Sequence, residues 1–313
     1  MVDPRGKNLG LNLAQKIAGL ELRNPTILSA GILGLTGLGL KNVWEAGAGA
    51  VVTKSLGLKG RKGYPNPTIV NVGYGFVNAM GLPNPGVKEY SLEIKTVKSS
   101  KETCLIASIY GALPEEIAKA ALVVEEAGAD AVELNLSCPN VKQVGMEVGQ
   151  DPILVHNIIS AVKNVVKIPV FAKLSPNVSD IKVLAQAAAN AGVDGLVAIN
   201  TIKAMTLDLE TGRPILANKM GGLSGPAIKP IALRCVYEVS QSINIPVIGC
   251  GGIASWEDAV EFLLAGASAV QIGTAIAYKG LGVFNEITSG LEWYLKRKHF
   301  KSIGEIIGRS HKY

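Results

Sequence analysis

Charge is scarce in this chain. Lys, Arg, Asp and Glu make up 18% of its 313 residues, against about 25% in an average globular domain. A disordered chain needs the opposite balance, low hydrophobicity with high net charge, so disorder is excluded. Histidine occurs only at His156, His299 and His311, on expected helices or near the C-terminus, and no metal site is expected. The four cysteines, Cys104, Cys138, Cys235 and Cys250, include no CxxC pair, which argues against a disulfide framework and against a zinc or iron–sulfur ligand set within the chain. The uncharged stretch 24–40 is broken by Pro25 and repeated glycines, so no membrane span and no membrane partner are expected. Early charges at Asp3, Arg5 and Lys7 do not fit a signal peptide, and a cytoplasmic location is expected. The basic runs Lys59-Gly60-Arg61-Lys62 and Lys296-Arg297-Lys298 lack interleaved aromatics, so no nucleic-acid partner is expected. The net charge of +6 suits an anionic small molecule instead.

What the chain has in quantity is apolar residues, at 48%, and 36 glycines. Short apolar, β-branched runs recur at 26–30, 50–54, 105–109, 131–136, 170–174, 195–200, 247–249 and 269–272. Runs apolar throughout are expected of parallel strands buried on both faces. Helical segments fill the gaps. Pro114-Glu115-Glu116 and Asp151-Pro152 open two of them, and Ser255-Trp256-Glu257-Asp258 has the form of a capping box. Segments 178–191, 228–242 and 284–296 read as further helices. Four times a helix is expected to end in Ala-Gly-Ala or Ala-Gly-Val before a strand, at Gly47, Gly128, Gly192 and Gly266; glycine there takes the left-handed turn. Eight such units in this length indicate an α/β fold, a single (β/α)8 barrel (TIM barrel) over residues 1–313 with long loops at its C-terminal face. A doubly wound open sheet is the alternative. Residues 1–25 precede the first strand, and the runs 11–14 and 19–22 are expected to form an N-terminal hairpin closing the barrel floor.

Three connections, 55–88, 137–150 and 201–226, are too long for simple turns, and long loops in compact domains usually carry function. In such barrels catalytic groups sit at the C-terminal ends of the strands. Those ends here deliver Ala30, Lys54, Ser55, Ser108, Asn135, Cys138, Asn140, Lys173, Ile199, Asn200, Thr201, Gly251, Gly252, Gly273 and Thr274. The glycine turns after strands seven and eight suit a phosphate, since backbone N–H groups reach an anion where side chains are absent. An ordinary turn glycine is the plainer reading of either turn alone. Lys54 and Lys173 close apolar strands; each either ends its strand in solvent or faces the mouth, where a buried ammonium needs an anionic or electron-rich partner. Cys104, Cys235 and Cys250 read as small buried hydrophobes. Cys138, in a long loop directly after a strand, reads either that way or as a base or nucleophile. Asn78, Asn135, Asn140 and Asn200 suit a flat ligand with imide and carbonyl edges, although a lone Asn in a loop is usually a turn residue.

These residues carry a resemblance. Thr53-Lys54-Ser55, Asn78-Ala79-Met80-Gly81-Leu82-Pro83-Asn84, Asn135-Leu136-Ser137-Cys138-Pro139-Asn140, Lys173-Leu174-Ser175-Pro176-Asn177, Asn200-Thr201, Gly221-Gly222-Leu223-Ser224-Gly225-Pro226 and Gly249-Cys250-Gly251-Gly252-Ile253 resemble, in order, the motifs of dihydroorotate dehydrogenase. Cysteine at position 138 resembles the class 1 enzymes. The stretches 139–142 and 222–230 resemble the 1B type.

The resemblance implies FMN as cofactor and oxidation of dihydroorotate to orotate in pyrimidine biosynthesis. It implies Cys138 as the base at C5 and flavin N5 as hydride acceptor. Asn78, Met80, Gly81, Leu82, Asn135, Asn140, Asn200 and Thr201 would hold the substrate, with Lys54 between flavin and substrate. Lys173 would sit at the flavin N1/O2 edge. Ala30, Ser55, Asn135, Ile199, Gly225, Gly251, Gly252, Gly273 and Thr274 would make the other FMN contacts, with Ser108 standing where the family usually has an FMN-contacting Asn. A homodimer is implied, joined to an FAD/iron–sulfur electron-transfer subunit as a heterotetramer that passes electrons to NAD. The stretch 143–150 also resembles the barrel of dihydropyrimidine dehydrogenase, which leaves a related ring as the alternative substrate. A barrel that only binds FMN or a partner is the third reading, and the intact thiol, lysines and amides speak against it.

Overall fold

The computed structural model describes residues 11–100, 102–136 and 148–313. It opens with β1 (Gln15–Ile17) and β2 (Leu20–Leu22), paired antiparallel. The hairpin is present, but the run 11–14 lies outside it. Its turn falls at Ala18-Gly19, both at positive φ, as a two-residue hairpin turn requires.

The strands continue as β3 (Thr26–Leu28), β4 (Ala50–Val52), β5 (Ile69–Asn71), β6 (Phe76–Asn78), β7 (Leu105–Ile109), β8 (Ala131–Asn135), β9 (Val170–Leu174), β10 (Gly195–Ala198), β11 (Ile202–Met205), β12 (Met220–Ser224), β13 (Val247–Cys250) and β14 (Ala267–Ile272). Eight of them close a parallel barrel in the order β3-β4-β7-β8-β9-β10-β13-β14. All eight expected barrel strands are present, some a residue or two shorter. Around them run α1 (Gly37–Glu45), α2 (Val87–Lys98), α3 (Pro114–Glu126), α4 (Pro152–Lys163), α5 (Ile181–Asn190), α6 (Lys229–Ser242), α7 (Trp256–Leu264), α8 (Ala275–Lys279) and α9 (Val283–Arg297). None is long and apolar enough to cross a membrane.

Local chemistry explains the helix ends. Asp151 accepts from the N–H groups of Ile153 and Leu154 to open α4, and Ser255 with Asp258 forms a reciprocal capping box on α7. The glycines after α1, α3, α5 and α7 hold φ of 107°, 102°, 78° and 109°. That is the left-handed turn expected of the repeated Ala-Gly phrase.

Strand periodicity sorts the side chains into layers. Ile27, Ala50, Val52, Ile106, Ala131, Phe171, Ile248 and Ala269 pack with Ile17, Leu20 and Leu22 of the hairpin in one interior cluster. The intervening residues of the same strands, such as Leu28, Val51, Val132 and Leu174, join the larger cluster under the helices. Two residues further along β3, β8, β9 and β14, the interior turns polar, with Ser29, Glu133, Lys173 and Gln271 all buried. The floor is therefore closed and apolar, and the open end is polar.

Two of the long connections are not structureless. They hold β5, β6, β11 and β12, which pair antiparallel in the order β11-β12-β6-β5. Thr274 Oγ1 donates to Ser224 Oγ at 2.9 Å and fastens this second sheet to the barrel mouth.

Candidate functional site

A cavity of about 600 Å³ lies between the barrel mouth and the second sheet. Among the described residues its wall carries Lys54, Lys173 and Lys203 and no carboxylate, so it favours an anion. Strand parity explains the lysines. Lys54 continues the inward series Ala50, Val52, and Lys173 follows Phe171.

The two strand-end lysines are held differently. Lys173 Nζ donates to Gln271 Oε1 at 2.9 Å and to Ser29 Oγ at 3.2 Å, with Glu133 Oε1 at 3.8 Å. Burial by itself would lower its pKa, but the neighbouring Cys250 and Glu133 raise it above the ordinary lysine value. The half-buried Lys54 has no hydrogen-bond or ion-pair partner for its ammonium among the described residues, and burial holds its pKa below the ordinary value. One lysine is thus paired within the protein, and the other is available to an anionic ligand.

At one end of the cavity lie the two glycine turns. No backbone N–H of Gly251, Gly252, Gly273 or Thr274 has an acceptor among the described residues. Gly251 and Gly252 hold φ of 132° and 77°, and a Cβ on Gly252 would meet Lys229 N at 2.8 Å. Gly273 is different: its φ is ordinary, and a Cβ there would meet only Ser29, at 3.4 Å. Its smallness serves the open space in front of it. Four free donors on adjacent strand ends form a cradle for a phosphate.

At the other end lie the amides. Asn135 Nδ2 donates to Ser55 Oγ at 3.0 Å, Asn200 Nδ2 donates to Asn135 Oδ1 at 3.1 Å, and Thr201 N donates to Asn200 Oδ1. Asn78 Nδ2 donates to the Gly222 carbonyl, joining β6 to β12 at the cavity wall. Asn177 ties Thr201, Lys203 and Gln150 together at the rim. Asn84 is buried and accepts from the N–H groups of Gly57 and Gly86, holding the 78–84 loop in place.

Of the expected site residues, Ala30, Lys54, Ser55, Asn78, Met80, Gly81, Leu82, Asn135, Lys173, Ile199, Asn200, Thr201, Gly225, Gly251, Gly252, Gly273 and Thr274 all line this cavity. Ser108 departs from expectation. It is fully buried and bonded to Ser55 Oγ at 3.0 Å, off the cavity wall. Its short side chain reaches Ser55 and no further, so Ser55 and Asn135 present the surface there. Cys138 and Asn140 lie outside the described residues, as does most of 143–150. Ser29, Cys250 and Gln271 line the cavity without having been expected there. The inward parity of their strands was the available signal.

The family model for dihydroorotate dehydrogenase matches residues 12–295. Curated relatives named "Dihydroorotate dehydrogenase B (NAD(+)), catalytic subunit" are similar over most of the chain. The protein of Methanothermobacter thermautotrophicus is 51% identical over 301 residues, covering 96% of this chain and 98% of its own. That of Methanocella arvoryzae is 51% identical over 294 residues, covering 94% and 96%. That of Pyrococcus abyssi is 57% identical over 204 residues, covering 65% and 68%.

Proposed function

The chain belongs to the dihydroorotate dehydrogenase family, and from that membership we propose that it is a catalytic subunit oxidising dihydroorotate to orotate with FMN as cofactor. The observation that supports this best is a single cavity with two chemically distinct ends, a cradle of free N–H donors at one and a lysine with bonded amides at the other.

The residues present fit FMN. The N–H groups of Gly251, Gly252, Gly273 and Thr274 would hold its phosphate, with Gly225 beside them. Ala30, Ser55, Asn135 and Ile199 would flank the rest of the cofactor, and Lys173 would meet its ring edge. When bound, FMN supplies a two-electron acceptor for the hydride removed from C6 of the substrate.

The chain's own groups do the rest. Lys54 takes the substrate carboxylate, and having no partner among the described residues makes that pairing favourable. Asn78, Asn135, Asn140, Asn200 and Thr201 orient the pyrimidine ring through its carbonyl and N–H edges, with Met80, Gly81 and Leu82 closing over it. Cys138 removes the C5 proton as thiolate, a role assigned from the Asn-Leu-Ser-Cys-Pro-Asn string. Positive charge at Lys173 favours the negative charge that reduction brings to the site.

The relatives' names speak of a catalytic subunit and of NAD. We read the chain as the barrel subunit of a cytoplasmic assembly, a homodimer carrying an FAD/iron–sulfur subunit that relays electrons to NAD. The four scattered cysteines put any iron–sulfur centre on that partner. Anaerobic titration of the holoprotein with dihydroorotate and with dihydrouracil tests the substrate. Flavin bleaching by dihydroorotate alone is expected; bleaching by dihydrouracil alone overturns the assignment.

A further inference from the structure

Beneath the cavity lies a buried carboxylate for which the proposed reaction has no use. Glu133 is 1% exposed. It sits on β8 between inward-facing Ala131 and Asn135, just above the apolar interior cluster. Burying a carboxylate costs several kcal/mol unless it is paired and hydrogen-bonded, and Glu133 is only partly satisfied. Gln271 Nε2 donates to its Oε2. Its Oε1 has no hydrogen-bond partner among the described residues and faces Lys173 Nζ from 3.8 Å.

Gln271 connects the two charges. Its nitrogen serves the carboxylate, and its oxygen accepts from Lys173. The ammonium is therefore held 3.8 Å from its counter-ion, at the long end of an ion pair, while Ser29 holds it from the cavity side. A shorter, hydrogen-bonded pair would draw Lys173 down onto Glu133. This arrangement supplies the negative charge while leaving the ammonium at the cavity wall. Cys250, on β13, is the other titratable side chain facing Lys173; the groups from β3 and β14, Ser29 and Gln271, are neutral.

We propose that Glu133 is a positioning residue, which through Gln271 keeps Lys173 protonated and turned toward the bound flavin. Without the carboxylate, desolvation weighs further toward the neutral amine and only Cys250 is left to favour the ammonium, so positive charge at the flavin edge is reduced. The proposal rests on the reading that Lys173 meets FMN.

The midpoint potential of bound FMN separates the possibilities by sign. Removing a negative charge near the flavin would by itself raise the potential. Losing the proton on Lys173, which is nearer, lowers it. We expect Glu133→Gln to lower the potential, shifting the oxidised-to-reduced equilibrium at least tenfold, about 30 mV for a two-electron couple. The drop should be larger at pH 9 than at pH 6, because an ammonium without its carboxylate counter-ion gives up its proton at lower pH than the wild-type one. Lys173→Met should lower the potential at both pH values.

A raised or unchanged potential in Glu133→Gln, with Lys173→Met lowered, overturns the proposal, because Lys173 then holds its proton without the carboxylate. An unchanged potential in Lys173→Met overturns the underlying reading that this lysine faces the flavin. Gln271→Met provides an independent check should Glu133→Gln lose FMN. With the spacer gone the ammonium retreats to Glu133, so a lowered potential is expected and a wild-type potential overturns the proposal.

Discussion

Asn200 donates to Asn135 across the end of β9, Nδ2 to Oδ1 at 3.1 Å. With Asn135 bonded to Ser55, and Ser55 to Ser108, this fixes which edge each amide turns to the cavity. Asn200→Asp places two acceptors face to face. A partly buried hydrogen bond lost with one partner left unsatisfied costs about 1–3 kcal/mol, so orotate affinity should fall roughly 5- to 150-fold at about 1.4 kcal/mol per tenfold. Flavin content should stay full. Titration of the flavin spectrum with orotate checks both.

Lys54 links ligand affinity to pH. Its free ammonium has a pKa held below the ordinary lysine value by burial, and an anionic ligand favours the protonated form. Binding therefore takes up a proton once the pH exceeds that of the free group, and orotate affinity should fall as pH rises toward 10. Lys54→Met should bind orotate more weakly at pH 7 and lose that slope. Isothermal calorimetry from pH 7 to 10 in both proteins measures it.

Gly273→Ala separates the phosphate cradle from the fold. The new methyl meets only Ser29, at ordinary contact distance, and φ there is unstrained. The variant should melt like the wild-type apoprotein yet bind FMN at least tenfold more weakly. Gly252→Ala, whose Cβ would meet Lys229 N at 2.8 Å, should lose both. Equal FMN affinity in Gly273→Ala would mean that the phosphate lies elsewhere.

Asp258 fastens the turn after β13. It accepts from the N–H groups of Ala254 and Ser255 and from Lys229 Nζ at 2.7 Å. Burial pushes its pKa up, but Lys229 and the backbone donors bring it below the ordinary carboxylate value. A group depressed in this way stabilises the fold above its unfolded pKa, about 3.9, and loses that contribution as pH falls through the folded value. Asp258→Asn should cost about 1–3 kcal/mol at pH 7, with the gap to wild type narrowing as pH falls below the ordinary carboxylate range. Urea unfolding at pH 7 and at successively lower pH checks the sign.

Much of this was legible along the chain. Lys54 and Lys173 close apolar strands, which left the mouth or solvent open to each, and the structure turns both to the cavity wall. The repeated Ala-Gly phrase marked the start of four of the eight barrel strands. The second sheet was not legible. Its strands are three to five residues long with mixed burial, and the β6–β12 pairing joins Asn78 to Gly222 across 144 residues of the chain. Glu133 was missed for a related reason. A lone acid in an apolar strand reads as a solvent-facing residue until Gln271, 138 residues away, is seen to bond it. Ser108 looked like a strand end at the mouth, and only the bond to Ser55 shows it lying behind the wall.

Cys138 is expected to act as the base while the bound flavin takes the hydride from dihydroorotate. Anaerobic stopped-flow mixing of the purified holoprotein with dihydroorotate, followed by flavin absorbance, tests it most directly in wild type and Cys138→Ala. The account predicts rapid bleaching in wild type, rising with pH as the thiol ionises, and at least about a hundredfold slower bleaching in the variant with its FMN still bound. Bleaching as fast in the variant, or none in the FMN-loaded wild type, would contradict it.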